Sequence, residues 1–532
     1  MYDLLIKNGR IVDGSGAPWF RGDVAIKDGC IVQIGKASTC AEQEIDARDL
    51  YVTPGFIDIH THSDESVLIG PESTSKITQG VTTEVVGNCG YSPAPAYGGA
   101  REGIQRSLAE FKLALTWESF GEYLALIRKA KPALNIYPLV GHGVLRSAAG
   151  GSLAKMKKLL REALACGARG MSTGLIYPPG CFAETREISE LCRILAEHNA
   201  IYTSHIRDEG DRLLEAIQEA IQVGTQTGVR VEISHLKAAG PANHGKTEKA
   251  LELIAQARES GVDVAFDAYP YTASATGLSA LLPHWAHAGG RKKLAQRLAD
   301  PEASAKLQKE TEAIAASRGG WQAVLISWVS NQNYQELVGQ TIAEAANKAK
   351  ISPWELAREL LQANPDGVEI ICFSMSQADV DRVICHPWAS YGSDATSRAP
   401  EGILASGRPH PRAYGTFPKI LREYVRERRL LSLEEAVRKM TSAPAARLNL
   451  SRRGLLRPGM AADIVILDLE RVGDTATYLD PHCFATGIEF VLVNGGIAYD
   501  AASGKIRTGH GRVLSFEGGS FLELICNLNG KG

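Results

Sequence analysis

The sequence has no apolar run approaching the ~18 residues of a membrane-spanning helix, so no segment is expected to enter a bilayer. It has little cysteine, ten in 532 residues with no paired spacing, which excludes a disulfide scaffold and implies reduced, mostly buried thiols. Its start, MYDLLIKNGR, lacks the apolar stretch of a signal peptide and reads as a strand. Together these features imply a cytoplasmic protein. There is also no basic stripe, and the net charge is only -2, so nucleic acid is not an expected partner. Apolar content of 44% and charged content of 22% are ordinary for a folded domain. The length suits two or three domains, or one large barrel with additions.

What is present is a change of texture along the chain. Residues 2–53 alternate apolar and polar positions around Asn-Gly and Asp-Gly turns, and the same texture returns after 455. The two ends, 1–53 and 455–515, are expected to build one small β-sandwich. Between them, 54–454 alternates short Val/Ile-rich runs with helical stretches such as LAKMKKLLREALACG and LLEAIQEAIQVGTQTG, several of which stop at Gly. Eight runs read as strands: VTPGFIDIHTH, VTTEVVGNCG, ALNIYPLVGH, ARGMSTG, IYTSHI, RVEISHL, VDVAFDAYPY and WASYGSD. Strand–helix alternation implies a parallel sheet, and eight repeats imply an α/β fold of the (β/α)8 TIM-like kind, with functional residues at strand C-terminal ends. The spacing is uneven. Segment 284–350, rich in Ala, Lys, Gln and Glu, reads as an inserted helical subdomain or lid between strands seven and eight. A second long stretch, 91–134, separates strands two and three.

The strand ends carry the chemistry. His60 and His62, two apart on a strand, point the same way about 6–7 Å from each other and can share a metal ion, with Asp64 a candidate to orient a ring. His205 and His235 end neighbouring strands one repeat apart, and strands about 4.8 Å apart bring both imidazoles to one ion. Each of these histidines alone would more often be a satisfied structural residue. Cys89 ends the second strand, where a thiolate is a good zinc ligand, although a buried inert cysteine is the plainer alternative. Asp394, in YGSDA, could cap a turn, but beside a metal a carboxylate there can accept a proton from water and return it to a leaving nitrogen.

At this point the blocks HTH (60–62), VVGNCGYSPAP (85–95), SHIRDEGD (204–211), SHLK (234–237), YGSD (391–394) and GRPHPRAYGTFPKIL (407–421) resemble the D-aminoacylases, N-acyl-D-amino-acid deacylases of the amidohydrolase superfamily, and RPGMAADIVILD (457–468) is similar to a tail element of that superfamily. The resemblance implies one tight zinc site made by Cys89, His205 and His235, and a second, weaker one at His60, His62 and Asp394. Strand four, ARGMSTG, has no lysine to bridge two metals, so the resemblance implies that Cys89 supplies the bridging anion. It also implies a small-molecule N-acyl amino acid as substrate, with Arg412, Lys237, Tyr269 and Ser274 as contacts. Arg412 suits bidentate binding of the α-carboxylate, and Lys237 shares a strand face with His235. His142 and Arg146 match a block of the family without an assigned role. The expected reaction is zinc-dependent hydrolysis of a linear amide, with Asp394 as proton shuttle. A cyclic-amide hydrolase of the hydantoinase kind is the nearest rival, and a catalytically dead barrel acting as a binding protein is the rival from another class. Oligomerisation is compatible with either.

Overall fold

The computed structural model describes residues 1–37, 40–364 and 367–515. The final segment, 516–532, which matches no recognised pattern, lies outside the described residues.

The two ends of the chain do meet. Strands Tyr2–Ile11, Phe20–Lys27, Cys30–Gly35, Ala41–Asp46 and Tyr51–Pro54 join Ile464–Leu467, Ile488–Val493, Gly496–Asp500 and Lys505–Ile506 in one nine-stranded sheet. Tyr51–Pro54 lies between the halves, pairing with both Tyr2–Ile11 and Ile464–Leu467. Its apolar face, with Ile6, Ile11, Val24, Val52 and Ile464 fully buried, forms a separate small core. The run VTPGFIDIHTH is therefore two strands, not one. Tyr51–Pro54 belongs to the terminal sheet, and Phe56–Asp58 is the first parallel strand. Gly55 divides them because the backbone there presses on Thr82: a Cβ would lie 2.2 Å from its hydroxyl oxygen.

The seven other expected parallel strands are present as Val81–Val86, Asn135–Pro138 continued by Val140–Gly141, Gly170–Gly174, Ile201–His205, Arg230–Ile233, Val264–Ala268 and Ala389–Tyr391. They pair in chain order, each parallel to the next, as one three-stranded and one six-stranded sheet. The last strand returns to the first. Ile59 N–H donates to Tyr391 O at 3.4 Å, Asp394 N–H to His60 O at 2.8 Å, and Thr61 bridges Ala395. All six residues of Val81–Val86 are buried, Thr82, Thr83 and Glu84 among them, because both faces of the strand are covered. Covering helices include Leu153–Cys166, capped by the Ser152 hydroxyl and stopped by left-handed Gly167, and Leu213–Thr227, stopped by left-handed Gly228.

The insertion differs from expectation. It is helical over Gly290–Ala299, Pro301–Ser317 and Ile342–Ala349, as expected, but these helices and Pro353–Ala363 lie beside a three-stranded antiparallel sheet, Ala273–Gly277, Val324–Val329 and Val368–Phe373. It also reaches well beyond 284–350. VLISWV and VEIICF are six-residue runs with one polar residue each, Ser327 and Glu369, and the long Ala/Lys/Glu helices beside them dominate the local composition. This unit has its own core, including Val324, Ile326, Leu356, Leu360 and Ile370.

Candidate metal centre and substrate cavity

The strand ends converge. His60, His62, Cys89 and Asp394 offer donor atoms that all lie within 4.8 Å of one another, and so do Cys89, His205 and His235. Cys89 is common to both sets. Its Sγ is 3.3 Å from His60 Nε2 and 3.6 Å from His235 Nε2. All six predicted ligands are thus brought together from the first, second, fifth, sixth and eighth parallel strands.

Three of the six occupy backbone that side chains avoid. Cys89, His235 and Asp394 have φ of 52°, 38° and 51°. Left-handed non-glycine residues cost roughly 1–3 kcal/mol each and persist where the surroundings over-determine them. Here the turn at each strand end aims the side chain inward.

The two sets differ in how their donors are satisfied. His60 Nδ1 lies 3.3 Å from Asp267 Oδ2, His62 Nε2 lies 3.0 Å from Asp394 Oδ1, and Asp394 Oδ2 lies 2.8 Å from Arg412 Nη1. His205, 4% exposed, has neither ring nitrogen hydrogen-bonded. An unmet buried polar atom costs about 1–3 kcal/mol, so a donor left bare in this way fits a cation that would engage it. Two neutral imidazoles and a thiolate are also the soft-to-borderline set that suits zinc. Burial opposes ionisation of Cys89, but His60 and the other imidazoles hold its thiol well below the usual range. Burial likewise opposes ionisation of Asp394, yet Arg412, then His235, hold its carboxyl well below the usual carboxylate range.

Two residues essential to this geometry escaped the sequence reading. Asp267 accepts from the His235 backbone N–H at 2.9 Å as well as facing His60. Glu209 Oε1 lies 3.1 Å from His235 Nδ1 and pairs with Lys237. Both stand in the quoted blocks, Asp267 in DAYPY and Glu209 in SHIRDEGD. A carboxylate beside a ligand histidine was the available signal. Asp64, expected to orient a ring, does not: its Oδ1 has no hydrogen-bond partner, and Asp267 takes that position because strand seven faces His60.

A cavity of about 870 Å³ opens over the centre, with His62, Cys89, His205, His235, Lys237, Tyr269, Ser274, Asp394 and Arg412 all in its wall. Arg412 stacks over the Tyr269 ring at 4.7 Å. The Tyr269 hydroxyl and Arg412 Nε are buried without a hydrogen-bond partner, whereas Arg412 Nη1 faces Asp394. Burial pushes the Tyr269 hydroxyl well above its usual range, so it remains a donor. Lys237 is already engaged, by Glu209 and by His235 Nδ1 at 2.7 Å. Ser274 sits on the inserted sheet, opposite Cys372. His142 and Arg146 stand apart from the donors, both on Glu187, where they tie the short helix His142–Ala148 to Thr185–Glu197.

Parallel strands with ligand-type residues converging from five strand ends define a metal-dependent hydrolase fold. The amidohydrolase family profile matches residues 43–499. The N-acyl-D-aspartate deacylase of Alcaligenes xylosoxydans xylosoxydans is 37% identical over 515 residues, covering 94% of this chain and 92% of that protein. The D-aminoacylase of the same organism is 37% identical over 504 residues, 93% and 94% of the two chains. The crystal structure of N-acyl-D-glutamate deacylase from Bordetella bronchiseptica, complexed with zinc and a phosphonate mimic of the tetrahedral intermediate, superposes with a TM-score of 0.82 at 34% identity, covering 97% of this chain and all of that one. The chain belongs to the amidohydrolase family, in its D-aminoacylase branch. Among the described residues, no helix is long and apolar enough to cross a membrane.

Proposed function

We propose that this protein hydrolyses the amide bond of N-acyl-D-amino acids, with zinc held tightly by Cys89, His205 and His235 and more weakly by His60, His62 and Asp394. The observation that carries this reading is the pairing of two donor sets through Cys89 with two unmet buried donors, the Tyr269 hydroxyl and Arg412 Nε, in the same cavity wall. Zinc, when bound, supplies Lewis acidity toward the acyl carbonyl and toward water. Asp394, kept ionised by Arg412, takes a proton from the attacking water. As the C–N bond breaks, Asp394 passes that proton to the departing nitrogen, leaving a carboxylic acid and a free amino acid. Arg412 and the Tyr269 hydroxyl donate to the substrate α-carboxylate, with Lys237 and Ser274 on the same wall. The D configuration follows the named substrates of the relatives.

The strand pairings support a (β/α)8 barrel over 54–454, carrying the mixed insertion, with a β-sandwich from 1–53 and 455–515. Among the described residues no disulfide joins any of the nine cysteines, which supports a reducing, cytoplasmic setting. A cyclic amide has no free carboxylate to meet the bare donors of Arg412 and Tyr269, and strand four, GMSTG, has no lysine; both features favour the linear amide. The test is release of free amine from a matched panel of N-acyl D- and L-amino acids, with zinc content measured in parallel. Faster opening of hydantoins than of any N-acyl amino acid overturns the reading.

A further inference from the structure

The long stretch after the second strand has a use that the reaction as described leaves unassigned. It forms the helix Ala100–Glu110, whose first turn lies close to the backbone of His142–Ala148: a Cβ on Gly99 would meet Ser147 O at 3.1 Å. Between these two helices the cavity forms an arm walled by Ala100, Gly103, Ile104, Gly143 and Val144, with Phe182 at the lip, and with Ser147 and Arg106, the latter paired with Glu102, as its polar members. Ala100, Ile104 and Val144 are buried apolar residues, while Phe182 is 43% exposed. Gly103 is what keeps the arm open. It is helical, and a Cβ there would meet only Arg106 Nη2, at 3.9 Å. The floor is fixed, because a Cβ on Gly143 would strike Gly90 O at 2.9 Å, and Gly90 directly follows Cys89.

The arm lies over strands two to four, whereas Lys237, Tyr269 and Arg412 come from strands six to eight. An amide held at the donor cluster with its α-carboxylate toward Arg412 must direct its acyl group the other way, into the arm. From this geometry we propose that the enzyme takes N-acyl amino acids whose acyl group is apolar and extended, an alkanoyl or arylalkanoyl chain rather than acetyl. The inference rests on the deacylase reading above. The cavity volume, near the upper part of the range for drug-sized ligands, about 300–1,000 Å³, accords with such a substrate. Each methylene fully transferred from water favours binding by about fourfold, so several in the arm raise kcat/KM by about 10- to 100-fold over acetyl.

The experiment compares N-octanoyl- and N-acetyl-D-methionine on the zinc-loaded wild type and on Gly103→Leu, which fills the arm without backbone strain and favours the helix. The wild type should prefer the octanoyl substrate by at least tenfold, and Gly103→Leu should lower the octanoyl-to-acetyl ratio by at least tenfold. Gly103→Ala, too small to close the arm, should keep most of the preference. Equal kcat/KM for the two substrates in the wild type, or an unchanged ratio in Gly103→Leu, overturns the proposal while leaving the deacylase reading intact. If no member of the N-acyl amino acid panel is hydrolysed, the deacylase reading fails. Calorimetric titration of both compounds then still decides the arm: tighter octanoyl binding that Gly103→Leu abolishes supports it, and absence of that difference overturns it.

Discussion

The two donor sets share one sulfur but are built on opposite terms. Cys89, His205 and His235 bring a histidine whose ring nitrogens have no hydrogen-bond partner, so an arriving cation has only the Cys89 Sγ contacts with His60 and His235 to displace there. In the other set His62 and Asp394 are already paired with each other and Asp394 with Arg412, while Asp267 holds His60 through Nδ1 and leaves Nε2 facing Cys89. A cation at that second position must compete with pairs already made. The difference teaches why one site is expected to be tight and the other weak: affinity is set by what the ligands give up as well as by what they are.

The comparison can be broken most directly at its shared atom. Cys89→Ala removes a donor from both sets, so most zinc and nearly all activity should be lost, as metal analysis and turnover will read. Full zinc retention would take Cys89 out of the ligand set. Asp394→Asn strikes only the self-satisfied set. Zinc at the Cys89–His205–His235 position should remain while kcat falls by roughly 10²–10⁴, and near-normal turnover would place the proton shuttle elsewhere. Arg412→Lys tests whether the guanidinium serves substrate or Asp394, which it touches at 2.8 Å. A lysine cannot reproduce the bidentate geometry, so kcat/KM for N-acyl-D-amino acids should drop by about 10- to 100-fold, with little effect on an N-acyl amine lacking the carboxylate. Equal losses on both substrates would assign Arg412 to Asp394 alone. The smallest effect is expected from Asp267→Asn, which weakens the orientation of His60: affinity for a second zinc should fall about tenfold with the first site retained. Equal weakening of both sites would erase the distinction between them.

The sequence by itself determined the repeat of short apolar runs and Gly-stopped helices. Because side chains alternate along a strand and parallel strands need covering helices, it also determined that His60, His62, Cys89, His205, His235 and Asp394 fall at equivalent strand ends. Ligand identity was legible there because its period is local. Tertiary structure alone decided which carboxylates support them, since Asp267 reaches His60 past the eighth strand and Glu209 reaches His235 from the end of the fifth, distances with no sequence period. It likewise decided that Asp64 orients no ring, that the insertion folds around a sheet whose strands lie far apart in the chain, and that His142 and Arg146 meet on Glu187. The left-handed turns at Cys89, His235 and Asp394 belong to the same class. No residue type announced them, and only the closing of neighbouring strands could hold them.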